Sequence, residues 1–177
     1  MTKIIDQCTT LDNQYNVTNS INLANELIKL EITDNHKLIS FDIKDLYVNI
    51  PIQETIKIVQ KKMTKNNDPQ KTQQIIKLLK VILEQNYYSF RQQIFQPTQG
   101  VAMGSPISGL IAELFLQHFE EIHLKHILDA KKITYHTRYV DDILIIYDSA
   151  KINAQDIDTY INSIHSNLKS HTKSNAP

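Results

Sequence analysis

Two short β-type runs, Ile133 to Tyr139 and Ile143 to Tyr147, flank Val140-Asp141-Asp142. No other stretch limits the fold as tightly. β-branched and aromatic residues in runs of this length favour strands, and so short a connection makes the pair an antiparallel hairpin. The apolar runs belong in a core, which leaves two adjacent carboxylates at its edge. Half-buried neighbouring carboxylates repel unless a cation neutralises them. A divalent metal is the usual remedy, and oxygen ligands suit Mg²⁺ or Mn²⁺. Alone, the pair also reads as a solvated Asp-Asp turn.

Asp42 changes that balance. It follows Leu38-Ile39-Ser40-Phe41 in a second β-like run that ends at Ile43. Period-two alternation puts Ile39, Phe41 and Ile43 on one face and Leu38, Ser40 and Asp42 on the other. By itself Asp42 also reads as a helix cap or a strand-end charge in water. Taken in chain order, a strand ending in Asp, a glycine-containing loop before a helix, and a strand pair turning at Asp-Asp form one arrangement. It is the arrangement needed to hold two metal ions against a nucleoside triphosphate.

The rest of the chain fits around these strands. Leu23, Leu27 and Leu30 fall at helical spacing after Ser20, and Ile52, Ile56, Val59 and Met63 form the buried stripe of a helix after Pro51. Asp68-Pro69 is a helix start, with Asp as N-cap and Pro at the first position, and that helix runs to about Gln85. Tyr87 to Gln96 reads as a hairpin turning near Arg91-Gln92-Gln93. Gln96 to Ser108 is a loop, Leu110 to about Leu128 a long helix, and Gln155 to Leu168 a last helix. The tail from Ser170 to Pro177 reads as polar and turn-forming. This order predicts an α+β domain, an antiparallel sheet with helices packed on one face.

Length and composition narrow the class. The 177 residues suit one domain, and 41% apolar with 21% charged residues is an ordinary globular balance. Cys8 is the only cysteine, so a disulfide within the chain or a cysteine-rich zinc site is excluded. There is no apolar run of membrane-spanning length and no basic-then-apolar leader, which makes an intracellular location, the nucleus included, the expectation. Lys plus Arg and Asp plus Glu both total 19. A nucleic-acid partner therefore requires locally segregated charge, because phosphate contacts come from Lys and Arg. Lys57, Lys61 and Lys65 share one helical face, which also reads as a solvated face.

Three stretches in order carry a resemblance to reverse transcriptases of the Penelope-like retroelement type. The first, Phe41 to Pro51 (FDIKDLYVNIP), looks like the first palm motif. The second, Gly100 to Ser108 (GVAMGSPIS), looks like the nucleotide and template loop. The third, Arg138-Tyr139-Val140-Asp141-Asp142, looks like the metal-binding hairpin, and the resemblance runs from about Asn16 to Leu168. It implies a polymerase palm in which Asp42 and Asp141 ligate two Mg²⁺ or Mn²⁺ ions, Asp142 assists and the Ile43 carbonyl completes one shell. Tyr47, five residues after Asp42, would lie under the sugar and exclude a 2′-hydroxyl; it also reads as a core tyrosine. Met103 and Gly104 would contact the nucleotide, Gly104 by letting the backbone approach the base pair closely. Met103 stands where many reverse transcriptases carry Gln, and Gly109 where the family usually has Pro.

The implied partners are an RNA template, a DNA primer and deoxynucleoside triphosphates, with no membrane. The chain is expected to be one partial domain spanning 1–177, the palm with the end of the fingers, lacking most of the fingers, the thumb and the GIY-YIG nuclease that such elements carry. The implied activity is RNA-directed DNA synthesis. A palm remnant that folds without polymerising, or that only binds nucleic acid, is the rival reading; a cyclase-like palm is a third.

Overall fold

The computed structural model describes residues 15–65, 67–129 and 133–173; Cys8 and the last residues of the tail lie outside these. The described elements are α1 (Ser20–Leu27), β1 (His36–Ile43), α2 (Leu46–Asn49), α3 (Ile52–Thr64), α4 (Pro69–Glu84), β2 (Tyr88–Phe90), β3 (Gln93–Phe95), α5 (Ser108–Asp129), β4 (Ile133–Tyr139), β5 (Asp142–Asp148), α6 (Ala154–Ser163) and β6 (Ser170–Lys173). The chain has an α+β fold, an antiparallel sheet with helices. Its described residues fall into two compact units, one within 45–118 and the other made of 15–44 with those of 119–173.

The second unit holds a four-stranded sheet in the order β4-β5-β1-β6. All of its pairings are antiparallel. β1 is interior because both of its edges are used. Ile39, Phe41 and Ile43 are buried while Leu38 is exposed, as the alternation predicts. β4 and β5 add Ile133, Ile143 and Ile145 to the same core. The outer edge of β4 is covered at one point by the polar segment before α1: Arg138 N donates to Tyr15 O at 2.7 Å and Val17 N to Arg138 O at 3.0 Å. α1 buries none of its residues.

The first unit is built on α3 and α4. Ile56, Val59 and Met63 on α3 and Ile75, Ile76, Leu79 and Leu83 on α4 are buried. The α4 start is as predicted: the Asp68 carboxylate accepts from Lys71 N at 2.9 Å, with Pro69 at the first position. The predicted β2–β3 hairpin turns at Arg91 and Gln92, both at positive φ (48° and 65°). Two successive positive values are the signature of a type I′ turn, which normally takes Asn-Gly.

Two expectations are corrected near the ends of elements. The last helix stops at Ser163 rather than near Leu168, and Ser170 to Lys173 is a strand rather than a turn-forming tail. The reason is that β6 earns its ladder bonds from β1, pairing Ser40 with Lys173 and Ile43 with Ser170. A polar edge strand of this kind leaves no apolar alternation to read.

Candidate functional site

The site grows from the end of β1. Register pairs Asp42 directly with Asp142 of β5 on one side and with His171 of β6 on the other. Side chains opposite one another in an antiparallel pair share a face. Asp42 and Asp142 therefore stand together on the face turned away from the buried Ile39, Phe41 and Ile43. Asp141 joins them from the β4–β5 turn. One carboxylate oxygen from each of Asp42, Asp141 and Asp142 lies within 4.8 Å of the others. The backbone also ties the end of β1 to the turn, since Ile43 N donates to Asp141 O at 3.0 Å.

The turn that carries Asp141 is strained. Val140 has φ +55°, whereas Asp141 is not among the positive-φ residues. That pattern matches a type II′ turn, whose first central position is normally glycine. A β-branched residue there is an outlier. A buried brace holds it. The Arg138 guanidinium, 1% exposed, gives one bond to the Val140 carbonyl at 2.9 Å. It gives two more to Glu120 of α5, at 2.7 and 3.1 Å. A forked guanidinium on a carboxylate fixes direction as well as distance. Arg138 stands in the hairpin motif without a role implied for it there, and Glu120 belongs to no motif. The signal that could have found Glu120 is a carboxylate in a largely apolar helical stretch, which needs a buried partner.

A cation already stands at the cluster. The Lys173 ammonium bonds Asp142 Oδ1 and lies 3.3 Å from Asp42 Oδ1. Those contacts, the Asp142 bond foremost, raise the Lys173 pKa above its ordinary value. The other basic residue of this stretch, Lys169, reaches the Asn162 carbonyl instead at 3.4 Å.

The remaining predicted site residues lie in the first unit. Tyr47 is half-buried on α2, and its carbonyl accepts from Val101 N at 2.8 Å. Gly100 is needed for that approach: it has φ +75°, and a Cβ there would fall 2.4 Å from Val48 O and 2.6 Å from Tyr47 O. Ser108 closes the loop by donating to Ala102 O at 2.7 Å. Met103 is 69% exposed, and Gly104 has φ +91° with open space around it.

An antiparallel sheet that gathers three carboxylates at a strand end and an adjoining turn is the framework of a nucleic-acid polymerase palm. The family model for reverse transcriptase (RNA-dependent DNA polymerase) matches residues 1–174, and the chain belongs to that family. Among solved structures it is similar to apo telomerase from Candida tropicalis truncated from its C-terminal domain. That match has a TM-score of 0.72 and 16% identity over 99% of this chain and 39% of that one. Telomerase from Candida albicans in complex with the TWJ fragment of telomeric RNA gives a TM-score of 0.69 and 12% identity, over 99% and 34%. The chain thus spans little more than a third of these telomerase chains, and at such identities the likeness is one of fold. No curated protein matches it by sequence. The family match continues past Leu168, where the motif resemblance was expected to stop, and so takes in β6. No helix among the described residues is long and apolar enough to cross a membrane.

Proposed function

We propose that this chain is the palm core of an RNA-directed DNA polymerase of the Penelope-like retroelement type, one partial domain of such an enzyme. The observation that carries the reading is the convergence of Asp42, Asp141 and Asp142 within 4.8 Å, inside a family that makes DNA on RNA. The donor set is oxygen only, which fits Mg²⁺ or Mn²⁺ and disfavours softer metals. Asp42 and Asp141 would hold two ions, Asp142 assisting and the Ile43 carbonyl adding a ligand. Bound ions supply activation of the primer hydroxyl and neutralisation of the leaving pyrophosphate.

The chain's own residues position and exclude. The Glu120–Arg138 brace fixes the turn, so Asp141 is aimed before any substrate arrives, and preorganised charge is where such catalysis gains most. Tyr47 packs beneath the sugar of an incoming deoxynucleotide and leaves no room for a 2′-hydroxyl. Met103 offers the nucleotide an apolar contact, and Gly104 lets backbone approach the base pair. The partners are an RNA template, a DNA primer and deoxynucleoside triphosphates, and the cellular setting is intracellular, the nucleus included.

The test places this palm in a complete enzyme of the type and follows primer extension on an RNA template. Asp141→Asn should abolish extension, and Tyr47→Ala should raise the ratio of ribo- to deoxynucleotide incorporation. Extension untouched by Asp141→Asn would sink the catalytic assignment; an unchanged ratio would return Tyr47 to a packing role. The balance of 19 basic and 19 acidic residues favours one rival, a palm that folds without polymerising, and that rival predicts no extension at all.

A further inference from the structure

Like charges set directly opposite one another on a sheet face are destabilising, and Asp42 and Asp142 are such a pair. Asp141 adds a third charge to the cluster. What offsets the repulsion can be read from the register. β6 pairs Ser40 with Lys173, which puts Lys173 on the Asp42 face, one diagonal step away. From there the ammonium reaches both strand carboxylates, bonding Asp142 and approaching Asp42 to 3.3 Å. His171, opposite Asp42, is the other titratable group that β6 presents to this face.

We propose that Lys173 is the resident cation of the carboxylate cluster, and that a divalent ion binds by exchange against its ammonium group. The inference rests on reading the three aspartates as a metal site. It makes Lys173 a residue that sets metal affinity. An ammonium on Oδ1 of Asp42 and Asp142 takes up lone pairs that a coordinated ion would use, and its charge repels that ion at close range. A lysine ammonium is charged throughout the neutral range, so the competitor is always present. Lys173 is held by the edge strand through backbone bonds, so its side chain can swing away while the sheet stays intact. Such exchange raises the metal concentration needed to fill the site, and it spares the empty cluster its own repulsion.

The experiment titrates Mn²⁺ into the 177-residue chain and measures the free ion by electron paramagnetic resonance. Wild type, Lys173→Gln, Lys173→Arg and Asp42→Asn are compared, with circular dichroism to verify folding. Removing one partly exposed competing charge should tighten Mn²⁺ binding about five- to tenfold in Lys173→Gln. Lys173→Arg should stay within about twofold of wild type, because the charge remains. The gain should shrink in high salt, as screening requires. In parallel, ¹³Cε-labelled lysine should show the Lys173 resonance moving on addition of Mg²⁺. Equal or weaker binding in Lys173→Gln, with binding still lost in Asp42→Asn, overturns the exchange and leaves the metal site standing. Binding that ignores Asp42→Asn, or no binding in any variant, overturns the metal site and the exchange with it.

Discussion

Val140 holds a conformation that its side chain opposes, and the cost can be measured. A β-branched residue at φ +55° stores on the order of 1–3 kcal/mol. Val140→Gly removes that strain but adds about 0.5–1 kcal/mol of backbone entropy to the unfolded chain. The net expectation is a gain of up to about 2 kcal/mol, seen as a higher urea midpoint; a lower midpoint would show that the turn is unstrained. His136 makes a second residue-scale prediction. Burial holds its imidazole at a pKa of about 3, far below the usual 6.5, and the Arg138 charge pushes the same way. The unfolded chain takes up a proton below pH 6.5 that the folded chain refuses. The neutral His136 contribution is therefore complete above pH 6.5 and is lost as the pH falls toward about 3. The slope is about 1.4 kcal/mol per pH unit. Urea unfolding of wild type and His136→Phe at pH 8 and pH 5 isolates it, the variant losing less stability on acidification; equal losses would refute it. Of these residues, Asp42, Asp141 and Asp142 were legible because a charge interrupts an apolar run. Lys173 was not, since its partners lie on other strands and no local pattern marks it; Glu120 left only the hint of a carboxylate in an apolar helix, with its partner on β4.

At the scale of elements, the two glycines beside the Met103 loop should behave in opposite ways. Gly100 sits where a Cβ would meet the backbone oxygens of Tyr47 and Val48 at 2.6 and 2.4 Å, at positive φ. Gly100→Ala should cost at least about 2 kcal/mol, because backbone cannot yield as a side chain can. Gly109, in the first turn of α5, has nothing within 4 Å of its missing Cβ. Gly109→Ala should add about 0.5 kcal/mol through helix propensity. Thermal melts of the two variants check both signs. The same elements show what periodicity can and cannot reveal. β1, α3, α4 and the β4–β5 hairpin carry full apolar patterns, and their sequences predicted them. α2 has four residues behind a left-handed Asp45 (φ 49°), too few for a helical stripe. β6 is polar and exists through its partner strand.

Across the whole molecule, charge decides what the palm can do unaided. Grip on a primer–template is largely electrostatic, and here 19 basic residues face 19 acidic ones. Lys57 and Lys61 on α3 and Lys65 at its C-cap are exposed, an ordinary solvated face. The chain as given should extend a primer on RNA no faster than its Asp141→Asn/Asp142→Asn control in Mg²⁺, since positioning supplies much of phosphoryl transfer. Extension clearly above that control would show the palm to be sufficient alone.

The central place of β1 has one more result. Because side chains alternate, sliding β1 by one residue against β5 would turn Asp42 inward and Phe41 out to water. A chain that mispairs there loses its carboxylate cluster and its core together. Errors in assembling this protein are thus self-eliminating: a miswired copy is unstable and open to proteolysis, so it does not persist as a well-folded decoy.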